Sequence, residues 1–257
     1  MMILSSAPST LPQMRRLARE LLNEFDAADA LACYYALHHD PRRTQLHVHL
    51  DPANMPDGLL VQCHTGFDLF RPLITMRLRG LNNAAAEMVD AALVEGRPYL
   101  LILPTGLLER VQPYLALSEM VRYAILRLDP ARFRLVVNAL VQVRRDREGN
   151  PRAEIRRHDE VVALAGVNWR SPIFAEVFVQ VQPEHRGRGW GRAVVRAVVA
   201  ELLQMGVTPL YTVAEDNDAS LDLAEDVGFV STGNFEIMAQ AVKVSYPAPA
   251  AGVVDDR

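Results

Sequence analysis

Residues 12–32 place Met14, Leu17, Leu21, Leu22 and Phe25 mostly three and four apart, which predicts an amphipathic helix with one apolar stripe. The period then changes. Short apolar runs at 44–50 (TQLHVHL), 59–64 (LLVQCH) and 72–78 (PLITMRL), separated by turn residues such as Asp51-Pro52 and Thr65-Gly66, read as strands. A helix over 81–95 ending before Gly96, a buried strand at 99–103, a helix near 105–116 and a strand at 120–128 follow. From 133 onward the pattern predicts strands in RLVVNALVQVR, EVVALAGVNW and AEVFVQVQ, with a DREGN turn after the first. A helix over 190–205, a strand at 210–214, a helix over 218–226 and strands within 229–244 complete the chain. This order predicts an α/β protein of the mixed α+β kind, a mixed sheet flanked by helices.

Half of the 257 residues are apolar, enough for a real core. The best linker is Asp129-Pro130, which predicts an N-terminal lobe over 1–129, a second domain over 130–245, and a flexible tail over 246–257 (YPAPAAGVVDDR) that is too polar and too rich in proline to order itself. Net charge is -4, with the 27 basic residues spread along the chain, so nothing marks a nucleic-acid surface. The start lacks the pattern of a secretory signal and no segment reaches the length of a membrane span, so neither a membrane partner nor export is expected and a cytoplasmic location is the default. Cys33 and Cys63 cannot form a disulfide framework, though a single bridge between them stays open; both sit in apolar company and read as buried, non-nucleophilic cysteines.

The informative stretch is 175–206, AEVFVQVQPEHRGRGWGRAVVRAVVAELLQMG, a strand that runs through a glycine loop straight into a helix. Gly187, Gly189 and Gly191 carry no side chains to block a ligand, and the backbone N–H groups of a helix start attract anions, so the segment suits a pyrophosphate. Val194, Val198 and Leu202 form one apolar row and Val195, Val199 and Leu203 the next; both belong to the core. A nucleotide P-loop is excluded because no Gly-Lys-Ser/Thr follows, and a dinucleotide fingerprint because Arg192 stands where glycine is needed. Close packing alone could also explain the glycines, with Arg186, Arg188 and Arg192 merely solvated.

The run Val181-x-Pro183-x-x-Arg186-x-x-Gly189-x-Gly191 resembles the acyl-CoA loop of the GNAT superfamily of N-acyltransferases, and Asn217-x-x-Ser220 followed by Gly228-Phe229 resembles a second motif of that superfamily. The resemblance covers residues 133–244. It implies a mostly antiparallel mixed sheet in which the strand at 177–181 splays from the one at 210–214, so that the pantetheine of acetyl-CoA lies along Val179, Gln180 and Val181. It also implies that Arg186, Gly187, Arg188, Gly189, Trp190, Gly191 and Arg192 surround the pyrophosphate, and that Asn217 and Ser220 contact the donor. Read from residues alone, Asn217 is equally a helix cap.

An acetyltransferase of this kind moves the acetyl group from acetyl-CoA to an amine by direct attack in a ternary complex; no cysteine near the loop offers a covalent route. The resemblance makes Glu176 the base, although it lies an odd number of residues from Val181 and so on the opposite strand face unless a bulge intervenes. A solvent-facing strand-end glutamate is the plain alternative, with Asp216 or a carboxylate of the N-terminal half as other acceptors. Ala224 stands where many relatives carry the tyrosine that protonates the leaving thiolate, which keeps a non-catalytic acyl-CoA sensor or scaffold as the rival function. The acceptor, a small-molecule amine or a protein N-terminus, has no signature, and neither has the oligomeric state. Residues 72–128 repeat the strand and helix order without the loop, as a degenerate sister lobe would. His38, His39, His47, His49 and His64 cluster near Asp40, Asp51 and Cys63, but no ligand pair has zinc-like spacing, so no metal is expected.

Overall fold

The computed structural model describes residues 10–66, 68–79 and 83–244; the tail expected over 246–257 lies outside them. In chain order the elements are α1 (Leu11–Leu21), α2 (Ala30–Cys33) running into a π-turn (Tyr34–His38), β1 (Thr44–Leu50), β2 (Pro56–Cys63), β3 (Leu73–Leu78), α3 (Ala84–Ala92), β4 (Pro98–Pro104), α4 (Leu108–Val111), β5 (Leu115–Leu128), β6 (Val141–Arg145), β7 (Pro151–Arg157), β8 (Glu160–Arg170), β9 (Phe174–Val181), α5 (Trp190–Gln204), β10 (Thr208–Ala214), α6 (Asp218–Val227) and β11 (Phe229–Lys243).

Several expected elements are shorter than their patterns. The helix expected over 12–32 stops at Leu21, because Asn23, Asp26 and Asp29 turn their side chains onto the backbone amides of Phe25, Ala28 and Asn23 and offer the chain an alternative to helix. Phe25 consequently lies outside the stripe, 74% exposed. The helix expected near 105–116 shrinks to one turn, α4, bounded by 3-10 turns of which the second carries Pro113. Within RLVVNALVQVR only Val141–Arg145 is strand; Val136 and Val137 face solvent and the Asn138 side chain accepts from the Leu140 amide. Strand β7, absent from the expected set, hides in the charged run PRAEIRR, which buries only its N-terminal part.

The described chain forms two compact units. Among the described residues the first comprises those of 10–21, 40–120 and 237–244, the second Leu22–His39 and Val121–Glu236. They interleave along the sequence, whereas the expected lobes followed one another with a break at 129. In the first unit β1, β2 and β3 pair antiparallel, and β3 crosses through α3 to pair in parallel with β4 at Leu73↔Leu100 and Ile74↔Leu101. In the second, β6 to β9 form an antiparallel meander, and β9 crosses through α5 to pair in parallel with β10, which pairs antiparallel with β5. Each unit is thus a mixed, mostly antiparallel sheet flanked by helices.

Helix α5 anchors the core of the second unit. Val194, Val195, Val198, Val199 and Leu202 are fully buried against Ala153, Ile155, Ala163, Ala165 and Val177, each contributing roughly 1.5–3 kcal/mol of apolar burial. Leu203, expected in the same face, is only partly buried. Gly206, in the left-handed region, ends the helix with its amide on the Leu203 carbonyl. No described helix is long and apolar enough to cross a membrane.

Candidate active site

The loop between β9 and α5 is shaped by glycine backbone. Gly187 and Gly189 have φ of +74° and +73°, and an added Cβ would meet nothing within 4 Å at either, so their role is conformation over open space. Gly191 differs: a Cβ there would lie 2.9 Å from Leu223 and 3.3 Å from Val181, so that glycine allows α5, α6 and β9 to close together. The packing explanation therefore holds for Gly191 and fails for the other two. Gly189 caps α5, whose first internal hydrogen bond runs from the Ala193 amide to the Gly189 carbonyl, leaving the amides of Trp190, Gly191 and Arg192 without helical partners.

These amides border an open cavity of about 700 Å3. Val179, Gln180 and Val181 of β9 form one wall; Arg186, Gly187, Arg188, Gly189, Trp190, Gly191 and Arg192 form the loop and helix start; Asn217 and Ser220 of α6 lie opposite. The structure therefore brings every expected donor-binding residue to one cavity. Not all side chains are free for a ligand. The Arg192 guanidinium pairs with Asp226 at 2.9 Å, Arg188 lies over the buried Trp190 indole at 5.4 Å, and Asn217 caps α6 by accepting from the Ser220 amide at 3.1 Å. Capping and lining coincide in Asn217.

The wall made by β9 is open because its pairing with β10 stops early. Phe174, Ala175 and Glu176 pair with Thr208, Pro209 and Leu210; beyond them no pair joins Val177–Val181 to Tyr211–Ala214. The strands fork, and Glu176 stands at the vertex.

Glu176 is half-buried, with its carboxyl end enclosed by Trp169, Asn168 and Thr212. Burial pushes its carboxyl above the ordinary carboxylate value, against hydrogen bonds from Trp169, Asn168 and Thr212 that favour the charged form. It keeps the face of β9 that its parity predicts, opposite Ala175 and Val177 in the core. A bulge is present, but in β8, between Val167 and Trp169, and so does not turn Glu176 over. Asp216 is exposed and is not part of the cavity wall.

Ala224 is fully buried in the core, so α6 supplies no hydroxyl there. Sequence reasoning missed Tyr211 of β10, whose hydroxyl lies 2.8 Å from Ser220 Oγ at the cavity wall and whose pKa burial pushes up against the Ser220 hydrogen bond. It missed Trp169 and Tyr34 as well; nothing local in the sequence ties either to Glu176.

The histidines do other work. His49 bridges Asp57 at 2.5 Å and Glu87 at 3.2 Å, and His38 pairs with Glu24 at 2.9 Å. Burial pulls the His49 ring down, but Asp57 and Glu87 together outweigh it and leave its pKa raised. Cys33 and Cys63 are buried and form no disulfide, and burial pushes the Cys63 thiol up to about 12. Among the described residues no group of three or more His, Cys, Asp or Glu is placed to hold a metal.

Residues 155–236 match the FR47-like protein family. A comparison with curated proteins gives no match. Among solved structures the chain is similar to a GCN5-related N-acetyltransferase-like protein from Streptococcus suis (TM-score 0.58, 16% identity, 90% of this chain and 100% of that one). It is similar to a GCN5-related N-acetyltransferase from Kribbella flavida (TM-score 0.57, 16% identity, 82% and 94%). A tandem GNAT protein from the clavulanic acid biosynthesis pathway is also similar (TM-score 0.59, 14% identity, 93% and 96%). The chain thus has the fold of the GNAT superfamily. Its residues 155–236, which hold the fork and the glycine loop, are the part whose sequence carries a family pattern.

Proposed function

We propose that the second unit binds acetyl-CoA as acyl donor and transfers its acetyl group to an amine in a ternary complex. One observation carries this reading: the unpaired edge of β9 from Val177 to Val181 leads directly to an open, amide-rich helix start. An extended, amide-containing pantetheine arm fits an unpaired strand edge, and a pyrophosphate fits the free amides of Trp190, Gly191 and Arg192 where the α5 dipole is positive. The cradle at Gly187 and Gly189 has room for the phosphates.

At the fork vertex Glu176 accepts a proton from the ammonium of the acceptor, which frees the nitrogen lone pair. Because the strands part at this residue, its position on the face opposite Val179 and Val181 does not separate it from a thioester lying in the fork. The amine attacks the thioester carbonyl, the carbon–nitrogen bond forms, the carbon–sulfur bond breaks to release the thiolate, and the second proton that the nitrogen sheds replaces the one the thiolate takes up. Ala224 cannot protonate that thiolate; Ser220, backed by the Tyr211 hydroxyl that burial keeps protonated, is the hydroxyl source at the wall. The first unit, with its own parallel crossover from β3 through α3 to β4, is a sister lobe lacking the loop motif.

Thiol release from acetyl-CoA, measured with a panel of small amines and of peptides with free N-termini, tests the reading and separates the two acceptor classes. Release that depends on both acetyl-CoA and an amine supports transfer. Donor binding without release across the panel favours the non-catalytic sensor.

A further inference from the structure

Glu176 is not held by its own strand alone. Trp169 Nε1 donates to its Oε2, and the Trp169 indole is stacked on the ring of Tyr34, centroids 5.5 Å apart and planes 22° apart. Trp169 is only 4% exposed, so its indole has little freedom once the stack is made. Tyr34 comes from a distant stretch of sequence and opens the π-turn Tyr34–His38, a widened helical turn of the kind that concentrates at functional sites. The β8 bulge, a second irregularity, falls at Asn168 and brings both Asn168 and Trp169 to bond Glu176. A helical and a strand irregularity therefore converge on one carboxylate.

We infer that Tyr34 is a positioning residue: by stacking on Trp169 it fixes the indole donor, and through it the orientation of the Glu176 carboxylate at the fork. This rests on the reading of Glu176 as base. Other ionisable groups lie on the elements packed around it, among them Tyr35, whose ring is 4.9 Å from that of Tyr34. Strand β5 contributes Arg127, which pairs with Leu210 and lies 5.9 Å from the Phe174 ring, and Tyr123, which pairs with Ala214. The helical segment contributes Tyr34 itself and His39, 5.7 Å from the Tyr34 ring. The neighbours that bond Glu176 from β8 and β10, Asn168, Trp169 and Thr212, do not ionise.

The chain has two tryptophans, so protein labelled with 5-fluorotryptophan in a Trp190→Phe background gives one fluorine resonance, from Trp169, that reports Glu176 without any acceptor. It should titrate with a midpoint above the ordinary carboxylate range and become flat in Glu176→Gln. Tyr34→Phe, which keeps the stack, should leave the midpoint in place. Tyr34→Leu, which keeps bulk but loses the ring plane, should raise it by about half a unit or more, because a loosened donor stabilises the charged form less. A Tyr34→Leu midpoint equal to wild type overturns the inference. Should Tyr34→Leu not fold, Tyr34→Met decides by the same fluorine midpoint: it should move upward, and an unmoved midpoint overturns the inference. Full thiol release in Glu176→Gln would instead defeat the base assignment, so the two failures are distinguishable.

Discussion

Leu210 is the last residue of β10 to pair with β9, and its partner is Glu176. That one register places a carboxylate at the point where two parallel strands separate, with an unpaired strand edge running from it to a helix start. A carboxylate there is destabilised in its charged form by burial and held by three donors, the balance on which the proposed role in proton transfer rests.

The pH dependence of transfer follows. Because burial raises the Glu176 pKa, the base is protonated and inactive until the pH exceeds the ordinary carboxylate range, so kcat should rise along an acid limb displaced upward. In Glu176→Gln the limb should vanish and kcat fall by about a hundredfold or more. An unchanged pH profile in that variant would pass the role to another acceptor.

Tyr211→Phe should lower kcat by about tenfold to a hundredfold while the KM for acetyl-CoA stays nearly unchanged, since the lost hydroxyl backs Ser220 and acts when the thiolate leaves. Steady-state kinetics with a thiol reagent measure both constants. A normal kcat would mean that water protonates the thiolate.

Gly191 and Gly187 should respond differently to alanine. At Gly191 the new methyl would press on Leu223 and Val181, and urea unfolding should show a loss of about 1–3 kcal/mol. At Gly187 the cost is conformational only, about 1–2 kcal/mol for a side chain at positive φ, with no steric overlap to relieve. Stability insensitive to Gly191→Ala would contradict the packing assigned to it.

His49 supplies a pH-dependent clasp in the first unit. Its folded pKa is raised, so the stabilisation is complete below the unfolded value of about 6.5 and is lost as pH rises through the folded value. Melting of wild type and His49→Gln should therefore differ most in mildly acidic buffer, by on the order of a few degrees, and converge in alkali. A difference that does not change with pH would remove the charge of His49 as its cause.

What could be read from the sequence follows the distance over which each feature is encoded. The glycine loop and α5 are contiguous, and local spacing located both the loop and the buried valine rows. The β9 wall, Asn217 and Ser220 came from the resemblance to the superfamily's motifs. The helix expected over 12–32 failed because Asn23, Asp26 and Asp29 bind nearby amides, a competition that apolar periodicity does not register. Strand β7 was hidden because PRAEIRR is mostly charged and its inward side chains are few. The contact of Tyr34 with Trp169 joins segments far apart in the chain, and nothing near either residue signals it.

The central claim is that the glycine loop and the β9 edge form the acetyl-CoA site, and the most direct test is calorimetric titration of wild type and Gly189→Val with acetyl-CoA. Wild type should bind, and Gly189→Val should lose binding while keeping a cooperative melt, because its side chain would strain the φ of +73° and intrude on the phosphate cradle. Equal affinity in the two proteins, or no binding by wild type, would contradict the site.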